Sequence, residues 1–135
     1  MANNDETDIG VFMMLLTLRA YLLLLSFESV LAKRDFSRLH RRVRECAVRP
    51  ARSTFGADQA CRALNMACTL YFKEVQCLQR SATLVCLLRK LGIPATLVIG
   101  AQRLPFQAHA WAEIDRRVIN DSESTVELYG VLDRL

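Results

Sequence analysis

An α+β fold is expected of this chain, with helices over its N-terminal half and a small antiparallel sheet after them. Apolar residues recur at helical spacing as far as Leu91, the Gly92-Ile93-Pro94 break ends that pattern, and the residues beyond it alternate with the period of a strand. With 135 residues the chain can build one domain with a real core, and it is too short for two ordinary ones. An apolar fraction of 52% with 24% charged residues excludes wholesale disorder. No repeat, low-complexity run or Pro/Gly linker divides the chain, so a single domain is expected. Within it, residues 1–8 read as a flexible acidic tail, 9–52 as two helices for packing or docking, and 53–135 as the functional core.

From Ile9 to Ala32 the only charges are Arg19 and Glu28. The length suits a bilayer span, and the basic segment that follows suits its cytoplasmic flank. Arg19 near the middle would cost roughly 2.5–3.5 kcal/mol on insertion. A helix packed on the core or on a partner is therefore favoured over a span. In Asp35–Val48 the residues Phe36, Leu39, Val43 and Cys46 form a narrow seam on a basic helix, with Asp35 as N-cap and Pro50 beyond its end. After a turn at Arg52–Gly56, the positions of Ala60, Leu64, Ala67, Cys68 and Tyr71 place a core helix over about Ala57–Tyr71. A further helix begins near Cys77, buries Leu78, Ala82, Val85, Leu88 and Leu91, and stops at Gly92. Ala95–Gly100 then reads as a strand and Ala101–Phe106 as a loop. Gln107–Asp115 alternates cleanly, setting His109, Trp111 and Glu113 on one face and small residues on the other, and Arg117–Ser122 reads as a third strand.

The net charge of +4 is concentrated in Lys33–Arg52, which holds eight Lys or Arg against two acids. Arg38, Arg41, Arg42 and Arg44 mark a basic helix face for an acidic peptide or protein, or simply for solvent. No recognised nucleic-acid module or interleaved aromatics accompany it. The five cysteines, Cys46, Cys61, Cys68, Cys77 and Cys86, include no C-x-x-C pair, and only His40 and His109 could complete a metal site. No metal or other cofactor is expected. An odd set of thiols in a chain without a plausible secretory signal reads as reduced and cytoplasmic, and the long apolar helix leaves membrane association open.

Cys77, His109 and Asp121 are the constellation that carries chemistry. A thiol at a helix N-terminus faces unpaired N–H groups and the positive end of the dipole, which favour the thiolate and can hold an oxyanion. Gln76 is a candidate side-chain donor beside it, and Trp111 could wall off one side of the imidazole. A thiolate attacks, an imidazole moves the proton and a carboxylate orients the imidazole. Whether Asp121 joins His109 depends on the hairpin between them. A three-residue loop puts both on one face, whereas a two-residue loop puts them on opposite faces and leaves Asn120 as the substitute orienter.

Several short phrases together resemble one family. They are Cys77-Leu78 with Ser81 one turn on, Leu91-Gly92-Ile93-Pro94-Ala95, Val98-Ile99-Gly100, Phe106, Ala108-His109-Ala110-Trp111 and Val118-Ile119-Asn120-Asp121. In these the chain is similar to the leader peptidases of lasso-peptide biosynthesis, the B2 proteins, over roughly Ala57–Asp121. The resemblance implies a transglutaminase-like, papain-related core. The implied activity is that of a cysteine peptidase which removes the leader from a ribosomal precursor before an ATP-dependent cyclase closes the macrolactam. By position, Cys77 would be the nucleophile, His109 the general base and acid, and Asp121 the orienting acid, with Trp111 and Phe106 lining a substrate pocket. The length fits the split form of the family, in which a separate small protein recognises the leader. One departure is Arg116, where the family carries Gly after the turn Asp. Two other functions use parts of the same pattern. Transglutaminase or N-acetyltransferase chemistry would employ the same three groups with an amine acceptor, and a non-enzymatic membrane-associated adaptor would need only the apolar helix and the basic face.

Overall fold

A computed structural model describes residues 2–50 and 56–135. Four helices come first: α1 (Ala2–Ala32), α2 (Phe36–Glu45), α3 (Ala57–Leu70) and α4 (Cys77–Lys90). There follow β1 (Ala95–Arg103), β2 (Phe106–Ile114), β3 (Arg117–Val118), the single turn α5 (Glu123–Val126) and β4 (Gly130–Arg134). The strands form one antiparallel sheet in the order β3-β2-β1-β4.

At the centre lies α4, packed by α1 and α3 on one side and by β1 and β2 on the other. It is therefore buried almost all round, Leu84, Cys86 and Leu87 as fully as the expected stripe of Ala82, Val85 and Leu88. Its end is a Schellman motif: Ile93 N–H donates to the Leu88 carbonyl at 3.0 Å and Gly92 N–H to that of Arg89 at 3.1 Å, with Gly92 at φ 86°. Arg89 then ties three segments to this end of the helix, donating to the carbonyls of Val43, Ala95 and Leu135.

Residues 2–8, expected as a flexible tail, form the first turns of α1. Asp5 lies in the first turn, where it favours the helix dipole. One face of α1 is core, with Leu16, Ala20, Leu24, Phe27 and Val30 buried. The helix is long and apolar enough to cross a membrane by length and composition, yet only 17% of its most apolar window is buried in the protein. α2 is capped by Asp35, which accepts from Arg38 N–H at 3.0 Å, and it buries Leu39 and Val43. Arg42 is not a free docking residue. It donates to the Ser26 carbonyl and lies over the Phe27 ring at 5.0 Å. The turn expected at Arg52–Gly56 falls, except for Gly56, outside the described residues; Gly56 N–H is satisfied by the Gln59 side chain at 2.9 Å.

The sheet is more regular than expected. The loop predicted at Ala101–Phe106 shrinks to Leu104–Pro105, because β1 and β2 pair continuously from Ala95↔Ile114 to Arg103↔Phe106. The turn between β2 and β3 has two residues, Asp115 and Arg116, at φ 50° and 65°. That is the mirror-image turn that matches strand twist, adopted here without the glycine that would ease it. The last strand, β4, lies outside β1, and Leu135 brackets Leu97 with two backbone hydrogen bonds of 2.8 and 2.9 Å.

Candidate active site

Cys77 is the first residue of α4, half-buried, after an N-cap Gln76 whose side chain makes no capping bond. How it stands toward β2 follows from two anchors. Ser81 Oγ donates to the Ala110 carbonyl at 3.0 Å, and Arg89 Nε donates to the carbonyl of Ala95, the partner of Ile114. Eight helical residues rise about 12 Å and four strand residues about 13 Å, so α4 and β2 run side by side in the same direction. Stepping back one turn from Ser81 brings Cys77 level with Ala108 and His109. The carbonyl of Ala110 and the N–H of Ala112 point to the edge of β2 away from β1, and β3 covers that edge only as far as Val118.

His109 Nε2 is hydrogen-bonded to Asp121 Oδ2, and both side chains are 22% exposed. A two-residue turn was expected to separate these residues, and continuing the β2–β3 register would indeed put Asp121 on the wrong face. It does not, because the ladder ends early. Ile119 N–H still donates to the Ala112 carbonyl at 3.0 Å, but at the next step the Asn120 side chain replaces the backbone, its Oδ1 accepting from Ala112 N–H at 2.8 Å. The main chain is thereby held off the ladder and turns Asp121 toward the ring. Asn120 Nδ2 also donates to Ser81 Oγ at 3.0 Å. Asn120 is thus occupied in joining β2, α4 and the Asp121 segment, and it is not a second orienter.

Trp111 is wholly buried and cannot line an open pocket, contrary to the expectation; its ring centroid lies 6.0 Å from that of His109. Gly100, opposite His109 in the β1–β2 pair, makes room for it, since a Cβ there would stand 2.9 Å from the indole. The indole N–H donates to Glu113 at 2.9 Å, and Arg134 Nη1 donates to the other carboxylate oxygen at 2.6 Å. Burial alone would raise the Glu113 carboxyl, but these two bonds and the Arg134 charge outweigh it and hold the group below its ordinary range. Phe106 is exposed at the β1–β2 hairpin end, free to touch a peptide. Tyr129, which no sequence pattern singled out, lies 5.1 Å from the His109 ring, centroid to centroid.

Among the described residues, the Cys77 thiol makes no hydrogen bond to the His109–Asp121 pair, and His109 Nδ1 has no partner. A hydrogen bond from Cys86 lowers Cys46 to about 6 against the effect of burial, helped by Lys90, Arg89 and Arg42. It sits beside the last turns of α4, at the end of the helix opposite Cys77. Burial pushes Cys61 and Cys68 up, and the contact with Cys46 pushes Cys86 up. No cluster of three metal-ligating side chains occurs among the described residues.

No curated protein and no solved structure matches the chain. A family model of the transglutaminase-like superfamily matches residues 21–134, a range that takes in α1 from Tyr21 onward as well as the sheet. That superfamily includes cysteine peptidases and acyltransferases, and its members are typically cysteine-dependent enzymes. With a thiol at the first residue of α4, a hydrogen-bonded His109–Asp121 pair and a family match over most of its length, this chain belongs to the transglutaminase-like superfamily.

Proposed function

We propose that this protein is a cysteine peptidase that removes the leader from a lasso-peptide precursor in the cytoplasm, acting with a separate leader-recognition protein and upstream of an ATP-dependent cyclase. The observation that carries the chemistry is the His109 Nε2–Asp121 bond, taken together with Cys77 as the first residue of α4. With Nε2 held by the carboxylate, Nδ1 is the nitrogen left to exchange a proton with Cys77. The Cys77 thiolate attacks the carbonyl carbon at the leader–core junction, and N–H groups of the first turn of α4, with the uncommitted Gln76 amide, hold the oxyanion. The tetrahedral adduct collapses to a thioester as His109 protonates the departing amine of the core peptide. Water, deprotonated by His109, then attacks the thioester and releases the leader as a carboxylic acid. Closing the gap between thiol and ring falls to the bound peptide, since catalytic hydrogen bonds are often long before substrate arrives. Exposed Phe106, three residues along β2 from His109, supplies an apolar contact for residues flanking the cut.

The choice of hydrolysis over acyl transfer rests on the phrases around Cys77, His109 and Asp121 that resemble the leader peptidases. Mass spectrometry of the neighbouring precursor peptide, incubated with the protein and with a candidate recognition protein, tests it. A single cut with water as acceptor is expected, lost in Cys77→Ala with folding intact. Product masses showing amine addition would replace hydrolysis by acyl transfer, and processing that survives Cys77→Ala would reduce the protein to an adaptor. Alkylation is read in a Cys46→Ala background, because the Cys86 hydrogen bond and nearby cations make Cys46 a more acidic thiol than an ordinary one.

A further inference from the structure

α1 has two apolar faces, and the core uses one. The other carries Val11, Leu15, Leu18, Leu22 and Leu25, all exposed, Leu18 at 54% and Leu22 at 55%. Their spacing of four, three, four and three is the 3.5-residue repeat of a helix–helix seam, sustained over about 21 Å. Beside the seam runs a groove of about 920 Å³ between α1 and α3, to which Met14, Met66 and Leu70 contribute. A contiguous apolar face of this kind marks an interaction surface.

The charges at the two ends of the seam indicate what covers it. α1 begins with Asp5, Glu6 and Asp8, and it is followed by Lys33 and Arg34, with Arg38 and Arg41 exposed on α2. If a second α1 lies antiparallel across the first with Leu18 opposite Leu18, then Val11 meets Leu25 and Leu15 meets Leu22. The acidic start of each helix then falls within a turn of the basic end of the other. A lipid surface fits less well: it requires no 3.5-residue period, and an anionic one would repel the acidic start. Crossing a bilayer would pull α1 out of the core, breaking the bonds of Gln79 to the Leu24 carbonyl and Arg42 to that of Ser26.

We propose that the exposed face of α1 is the interface of an antiparallel, isologous homodimer of this chain, with the α1–α3 groove of each copy receiving the edge of the other's α1. The proposal is independent of the catalytic reading. Sedimentation velocity of the full chain from about 1 to about 100 μM should show a monomer–dimer equilibrium in the micromolar range. Leu18→Glu should raise the dissociation constant about 100-fold by burying charges at the centre of the seam, with unchanged circular dichroism, and with Tm unchanged when both proteins are melted well below the parent's dissociation constant, because Leu18 is exposed in the single chain. Charge reversal of one end, Asp5→Lys with Glu6→Lys, should weaken the dimer, and adding Lys33→Glu with Arg34→Glu should restore it. A monomer throughout the range would overturn the proposal. So would a dimer indifferent to Leu18→Glu, or a monomer that instead floats with vesicles of phosphatidylserine and phosphatidylcholine.

Discussion

Replacing Asn120 by Ala removes the two bonds that turn Asp121 toward His109, and the cost can be worked from the structure. Ala112 is fully buried, so losing the 2.8 Å bond from its N–H to Asn120 Oδ1 orphans a backbone donor, at about 1–3 kcal/mol. The 3.0 Å bond from Nδ2 to Ser81 adds about 0.5–1.5 kcal/mol, giving a total of roughly 2–4 kcal/mol. For a domain of this size each kcal/mol moves Tm by roughly 3–5 °C, so Asn120→Ala should melt about 6–20 °C lower in a calorimetric scan. Ser81→Ala loses the same Asn120 bond together with its own bond to the Ala110 carbonyl. The double variant should therefore be less destabilised than the sum of the singles, with a coupling of at least about 0.5 kcal/mol. Peptide cleavage by Asn120→Ala, measured well below its Tm, should also fall, because the segment carrying Asp121 is no longer held. Strict additivity of the two changes, or a Tm within a degree of the parent, would refute the idea that this junction positions the carboxylate.

Three further outcomes are expected. Asp121→Asn should lower kcat/KM for cleavage by about 10²–10⁴-fold with little change in KM, measured by product mass against time, since the amide offers His109 no charge to orient or stabilise the imidazolium. Glu113→Gln should cost about 1–3 kcal/mol at neutral pH by weakening the bonds to Trp111 and Arg134. The folded carboxyl lies below its unfolded value, so its contribution is present above the unfolded value and is lost as pH falls through the folded one; melts of parent and variant should converge in acid. Gly100→Ala should destabilise by about 1–3 kcal/mol and reduce cleavage, because the new methyl meets Trp111 and the Tyr129 Cβ, at 2.9 and 3.0 Å, in the layer against which His109 rests.

Much of this architecture was legible in the chain because it is local. Helical spacing and the Gly92 stop place α4 within a residue or two, the Asp35 cap places the start of α2, which ends three residues before the expected Val48, and strict alternation places β2. The hairpin argument predicted the consequence of each turn length but assumed that the ladder continued to Asp121. A side chain intercepting a backbone hydrogen bond, as Asn120 does, has no signature in periodicity. The segment after Ser122 also showed no pattern, so β4 and the Tyr129 ring beside His109 went unforeseen. Gly100 within an apolar strand was the one available hint that a large ring lay close. Cys46 was hidden because its acidity comes from residues distant in sequence, Cys86, Lys90 and Arg89 among them.

The most direct test of the central claim is to catch the acyl-enzyme. The protein is mixed with precursor peptide, quenched in acid on the timescale of turnover, and its intact mass and fragment map are recorded. An adduct equal to the leader less water, carried on Cys77 and absent in His109→Ala, is the predicted result. Cleavage that proceeds with no such adduct in a variant trapped before deacylation, or an adduct mapped to Cys46, would contradict the account.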